Sequence, residues 1–277
     1  MIEAVETLRK RLGTGWPFAA SRQPPDVTAI VLGSGLGGLA DQIEAPIAIP
    51  FTDIPGFGQA TAGGHRGQLI FGSLDDRPVI AMAGRLHRYE GWSNQQVAFP
   101  IQVMQRLGAT RLIASNAAGG VNPKLRVGDV VVIRDHLDWL CERQSGLSER
   151  PTRQTGSTDL PRREHVYCPN LAEIAHRAAR RGGFCAVDGT YLATLGPTYE
   201  TRAEYRMMRR LGADVVGMST VPEVLAAAKL GMSVLAVSIV SNVADPDRAI
   251  VADHAEVLHA GNAAAAKIEQ IVRSTLR

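Results

Sequence analysis

Arginine and histidine stand two residues apart in Gly84-Arg85-Leu86-His87, directly after an apolar run of strand length. In extended chain that spacing turns both side chains to one face. A guanidinium is a permanently charged fork and an imidazole a switchable donor or acceptor, so the pair suits an oxyanion. Ser219-Thr220 offers a second anion contact at a predicted helix start, where backbone N–H groups and the helix dipole favour negative charge. Gly33-Ser34-Gly35-Leu36-Gly37-Gly38 offers a third, a strand-to-helix turn whose amides and Ser34 hydroxyl can cradle an anion. Asn116-Ala117-Ala118-Gly119-Gly120 is small enough to let a ligand approach the backbone. Each has a plainer reading: a surface coincidence for Arg-x-His, capping by Thr220, a glycine turn without ligand, a tight turn.

These residues need elements to position them. Val27–Leu32, Gln68–Phe71, Pro78–Met82, Arg111–Ser115, Asp129–Arg134, Gly189–Leu195 and Ser233–Val240 have the length and β-branched content of buried strands. Ser93 with Gln96 predicts a capping box for a helix to Leu107, closed by Gly108 and kinked at Pro100. Asn170 with Glu173, Thr201 with Glu204, and Thr220 with Glu223 open three more, ending at Gly182–Gly183, Gly212 and Gly231. A last helix runs from Asp253 to the C-terminus, with Val257, Gly261, Ala264, Ile268 and Val272 on one face. Near-continuous apolar strands alternating with helices imply a single α/β domain over residues 1–277, with a mixed, largely parallel central sheet flanked by helices. Antiparallel pieces are expected around 42–90. Residues 141–169 are polar and aperiodic, as in a lid or an interface loop. Gly33, Gly84, Asn116 and Asn242 all fall just past strand-like runs, where ligands sit in such sheets.

Several chemistries drop out. The glycine turn matches G-x-G-x-x-G, and Asp53 follows about 20 residues on, but Pro46 and Pro50 interrupt the crossover helix a dinucleotide fold needs. No Gly-Lys pair exists for a P-loop, and no G-x-S-x-G elbow is present. Asp135-His136-Leu137-Asp138 has no distant ligand set and reads as capping. The net charge of +3 is too even for a dedicated nucleic-acid binder and no basic run is interleaved with aromatics, so nucleic acid is not expected, while a sequence pI of about 8.9 suits small anionic substrates. Only four of the 30 basic residues are lysines (Lys10, Lys124, Lys229, Lys267), so cationic chemistry here belongs to arginine. Cys141, Cys168 and Cys185 are odd in number and widely spaced, which argues for a reducing compartment. The N-terminus lacks a signal-peptide pattern, and the longest apolar stretch, Met232 to Ala244, is too short for a bilayer. A cytoplasmic protein without membrane contact is expected.

Six motifs then occur in order: Val31-Leu-Gly-Ser-Gly-Leu-Gly-Gly38, Gly64-His65-Arg-Gly67, Gly84-Arg85-Leu-His87-Arg-Tyr89-Glu-Gly91, Asn116-Ala-Ala-Gly-Gly120, Gly196-Pro-Thr-Tyr-Glu200 and Gly217-Met-Ser-Thr-Val-Pro-Glu223. Together they resemble the trimeric purine nucleoside phosphorylases over roughly residues 27–265, weakly across 138–189. The resemblance implies phosphate contacts at Ser34, Arg85, His87, Ala117 (through its amide) and Ser219, with His65 beside them. It implies Tyr89 and Met218 at the ribose, His254 at the 5′-hydroxyl, and Tyr199, Glu200, Val216 and Asn242 around the purine. His87, Glu200, Asn242 and His254 would carry the catalytic work. The implied activity is phosphorolysis of inosine- and guanosine-type nucleosides in purine salvage by a homotrimeric pentosyltransferase, with phosphate as co-substrate and no metal or organic cofactor. Methylthioadenosine phosphorylase is the alternative within the family. An NAD-dependent oxidoreductase and a non-catalytic nucleoside-binding protein are the alternatives outside it. Two departures stand out: Leu160 occupies the place of an aromatic that reaches a neighbouring subunit, where Tyr167 is a possible replacement, and Val243 replaces a common basic residue.

Overall fold

The computed structural model describes residues 1–13, 26–33, 37–61, 66–140, 166–245, 247 and 254–277, with backbone only along 254–262. At its centre, β1 (Val27–Leu32) lies between β4 (Arg77–Ala83) and β5 (Ala109–Gly120), parallel to both. β5 also runs parallel to β9 (Ser233–Val243). All of β1 is buried, and its side chains alternate between two cores: Ala29 and Val31 face one, Ile30 and Leu32 the other. That two-sided burial is why the strand reads as an unbroken apolar run. One core is covered by α1 (Ile2–Leu12), α2 (Asn94–Arg106) and α5 (Val221–Lys229), through Leu8, Ile101 and Val224. The other is covered by α3 (Pro169–Gly182) and α6 (His254–Leu276), through Ala175, Ala264, Ile268 and Val272.

On one flank β4 pairs antiparallel with β3 (Gln68–Leu74), and β3 with β2 (Glu44–Pro50), the antiparallel pieces expected in this stretch. On the other, β6 (Val130–Asp138), β7 (Ala186–Ala193) and β8 (Val215–Gly217) continue the sheet. The pairings β5–β8, β8–β7, β7–β6, β6–β9 and β9–β5 close on themselves. This half of the sheet is therefore a small barrel, which removes its edge. β5 is the hinge of the design, pairing with β1 along its first half and with β8 at Gly119–Gly120.

Between β1 and β2 the described chain forms only a 3-10 segment, Gly37–Gln42, and Asp53 pairs with Arg11 at 2.8 Å. Among the described residues no crossover helix follows the glycine turn, so the dinucleotide geometry is not built. The α2 and α4 (Arg202–Arg210) capping boxes form as the residue types require, with the Gln96 and Glu204 amides donating to Ser93 and Thr201. α2 continues through buried Pro100 to Arg106 with Leu107 at its C-cap, the extent expected. Two expectations are corrected. α3 starts at Pro169, with Cys168 preceding it and no side-chain cap from Asn170, because proline at the first position presets the helical φ. α5 has no capping bond from Thr220, whose φ of 71° points its hydroxyl elsewhere. β2, β8 and α1 were not evident from periodicity, and β5 and β9 run past Asn116 and Asn242 rather than ending before them. No helix among the described residues is long and apolar enough to cross a membrane.

Candidate active site

A cavity of about 330 Å³ opens at the carboxyl ends of β1, β4, β5 and β9, a volume suited to a small ligand. Its deepest cation is Arg85, just past β4 and 1% exposed. Arg85 Nη1 donates to Ser219 Oγ at 3.0 Å and to Thr220 Oγ1 at 2.8 Å, and Nη2 donates to the Ser115 carbonyl at 2.8 Å. Its Nε lies 3.4 Å from Glu223 Oε1. Asn116 Nδ2 donates to the same Thr220 hydroxyl at 2.9 Å. A positive φ is costly for a β-branched residue, and at Thr220 that cost brings its hydroxyl to the guanidinium instead of its own helix.

Close backbone approach is what seats this arginine. A Cβ on Gly33 would lie 2.6 Å from the Ser115 carbonyl oxygen, the atom that accepts from Arg85. Gly33→Ala is therefore expected to destabilise the fold by about 1–3 kcal/mol, the usual cost of overpacking, and to disturb the Arg85 contact. Denaturant unfolding checks the first effect and the affinity of the cavity for an oxyanion the second.

His87 stands at the same end, with Nδ1 2.9 Å from Glu90 Oε1 and its backbone N–H donating to that oxygen at 2.8 Å. The other oxygen of Glu90 accepts from the Thr61 backbone N–H at 2.8 Å and from its hydroxyl at 2.6 Å. Burial pushes the Glu90 carboxyl up, but the hydrogen bonds from His87 and Thr61 outweigh it and hold the group at about 2. A depressed folded-state value stabilises the protein above the unfolded value of 4.5 and loses that effect as pH falls to about 2. Glu90→Gln should thus be less stable than the parent at neutral pH, with the gap closing between pH 4.5 and about 2 in urea titrations. The His87 ring stacks on Tyr89 with centroids 4.7 Å apart. Burial, with Glu90 nearby, pushes the Tyr89 phenol up to about 12, so it stays a neutral donor.

The far end of the cavity carries different chemistry. Glu200 accepts from Thr194 Oγ1 at 3.1 Å and from the Tyr205 hydroxyl at 3.2 Å, which leaves an oriented carboxylate. Burial, then the Glu200 charge, raises the Tyr205 phenol and keeps it a donor. Ser241 Oγ donates to Asn242 Oδ1 at 2.9 Å, which sets the carboxamide with Nδ2 as its remaining donor group. Between the ends, the Ser219 backbone N–H donates to the buried Tyr191 hydroxyl at 3.3 Å and holds the Gly217–Ser219 segment in place. Gly217 permits this, because a Cβ there would lie 2.4 Å from that hydroxyl.

Arg85, His87, Tyr89, Ala117, Tyr199, Glu200, Val216, Met218, Ser219 and Asn242 all line this one cavity. Ser34, His65 and Leu160, and the side chain of His254, lie outside the described residues. Tyr167 is built into the chain's own core, with its hydroxyl 3.0 Å from His136 Nδ1, so it is not a ring offered to a neighbouring subunit. Asp135 and Asp138 belong to β6 and accept the backbone N–H groups of His136 and Leu140; among the described residues they cap no helix. Glu90, Ser241, Thr194 and Tyr205 were not singled out from sequence. Only Glu90 carried a usable signal, its three-residue spacing from His87; the others are set by contacts across the fold.

The phosphorylase superfamily model matches residues 27–277. Purine nucleoside phosphorylase of Rattus norvegicus is 41% identical, covering 93% of this chain and 90% of that protein. Purine nucleoside phosphorylase 1 of Geobacillus stearothermophilus is 45% identical over 78% of this chain and 77% of that protein. The crystal structure of Schistosoma mansoni purine nucleoside phosphorylase in complex with inosine superposes with a TM-score of 0.84 at 37% identity, covering 99% of this chain and 94% of that one.

Proposed function

The chain belongs to the phosphorylase superfamily, among its purine nucleoside phosphorylases, and from that premise we propose how one cavity divides the work of the reaction. The reaction is reversible phosphorolysis of purine nucleosides to free base and (deoxy)ribose 1-phosphate. The C1′–N9 bond breaks with its electron pair leaving on the purine, and a C1′–O bond forms to phosphate. The observation that carries the assignment is the polarity of the cavity: a buried, fully oriented arginine at one end, an oriented carboxylate and carboxamide at the other.

In this reading phosphate sits against Arg85, His87, Ser219 and the Ala117 backbone N–H, with Ser34 and His65 assigned there by resemblance. Nδ1 of His87 is engaged by Glu90, so the phosphate contact falls to Nε2. Tyr89 and Met218 border the ribose, and His254 takes the 5′-hydroxyl. As C1′ gains oxocarbenium character, the phosphate dianion beneath it supplies electrostatic stabilisation and then the nucleophile; the protein contributes position and field. Tyr199 and Val216 flank the base. Glu200 accepts the six-ring N–H. Asn242 Nδ2 donates to the six-oxo group while Oδ1, already accepting from Ser241, accepts the five-ring N–H that forms as the departing purine anion takes a proton from water. This donor at the six-position favours inosine and guanosine over methylthioadenosine. The same reading makes the protein a cytoplasmic homotrimer that uses inorganic phosphate and no metal or organic cofactor.

Base release from inosine, guanosine, adenosine and methylthioadenosine, each with and without phosphate, tests it. Phosphate-dependent release from inosine and guanosine, about 10²-fold above the six-amino substrates, is expected. Phosphate-independent release, or none, overturns the assignment.

A further inference from the structure

Glu223 is fully buried yet forms no part of the cavity wall. It lies in the first turn of α5, three residues after Thr220, and its Oε1 is 3.4 Å from Arg85 Nε. One helical turn thus presents two groups to the same guanidinium, the Thr220 hydroxyl at Nη1 and the Glu223 carboxylate at Nε. The Ser115 carbonyl holds Nη2. Nη1 and Nη2 are hydrogen-bonded and Nε faces the Glu223 carboxylate at ion-pair distance, so β5 and the start of α5 together set the guanidinium plane. Thr220 secures its corner through a φ that a threonine adopts only under constraint, which marks this arrangement as one the fold is built to keep.

We propose that Glu223 is a positioning residue of the phosphate site, anchoring Arg85 Nε and so fixing the plane in which the guanidinium meets phosphate. The inference rests on the phosphate role assigned to Arg85. It does not require a full negative charge on Glu223. Burial pushes that carboxyl up, against the opposing pull of Arg85 and His87, and a carbonyl-type acceptor at the same place orients Nε as well.

Two variants separate geometry from charge. Glu223→Asp keeps the carboxylate and withdraws it by one methylene, whereas Glu223→Gln keeps an acceptor oxygen in place and removes the charge. KM for phosphate is measured at saturating inosine, KM for inosine at saturating phosphate, and folding by urea titration. Glu223→Asp should raise the phosphate KM at least about tenfold, the range expected for a charge-assisted contact, and change the inosine KM less than about twofold. Glu223→Gln should stay within about threefold of the parent for both substrates. An Asp variant with parental phosphate KM, a Gln variant with a tenfold rise, or parallel increases in both constants overturns the inference. Should the Asp variant not fold, the Gln variant decides alone by the same limits. Failure of the parent protein to require phosphate would instead refute the phosphate-site reading itself, and this inference with it.

Discussion

Arg85→Met is expected to lower phosphate-dependent kcat/KM for inosine by about 10³-fold, with a much smaller change in the affinity for the free base. The guanidinium is 1% exposed and held by Ser219, Thr220 and Ser115, so little reorganisation remains when an anion arrives. Preorganised charge of this kind is where such enzymes gain most of their transition-state stabilisation. The same substitution leaves Glu223 buried beside a thioether, and breaking a buried pair on one side costs about 3–5 kcal/mol. Removing both partners is a different matter, since a well-packed apolar pair is often no less stable than the ions it replaces. Arg85→Met/Glu223→Leu should therefore recover most of the lost stability while remaining inactive. Urea unfolding and hypoxanthine release, measured on both variants, check the two halves separately. Recovery of activity in the double variant would contradict the role given to Arg85.

Asn242→Asp should move preference from inosine toward adenosine-type substrates. Ser241 Oγ donates to Asn242 Oδ1, and an aspartate keeps that acceptor. The atom that changes is the one in place of Nδ2, which turns from donor to acceptor. A six-oxo group then faces an oxygen, and a six-amino group gains a partner. Mismatches between buried polar groups discriminate by as much as roughly 10⁴-fold. The ratio of kcat/KM on inosine to that on adenosine is expected to fall by at least about 10²-fold. An unchanged ratio would refute the assignment of Asn242 to the six-position.

Much of this is legible in the amino-acid sequence. β1 coincides with Val27–Leu32, because a strand buried on both faces has no choice but an apolar run. Ser93 and Thr201 cap their helices as their i,i+3 partners foretold, because capping involves atoms one turn apart. Thr220 and Glu223 carry the same signature and do otherwise. Their polar atoms are turned to Arg85, which a competing partner 135 residues away in the case of Thr220 makes possible. β8 is three residues long and exists only because β5 and β7 flank it, so no periodicity announced it.

By itself the sequence determined the apolar strands, the capped helices and the order of the oxyanion-binding motifs, since each depends on residues within a turn or two of one another. The tertiary structure alone decided which of these motifs share a cavity, how the sheet closes through β5 and β9, and what each polar atom is bonded to. Arg85 meets Ser219 across 134 residues, and Ser241 meets the Ala118 carbonyl across 123. Contacts at such separations come from packing and strand register, which a local pattern does not encode. The identity of an anion-binding arginine is written in its motif; the plane of its guanidinium is set by Glu223, Thr220 and Ser115, which only the folded chain brings to it.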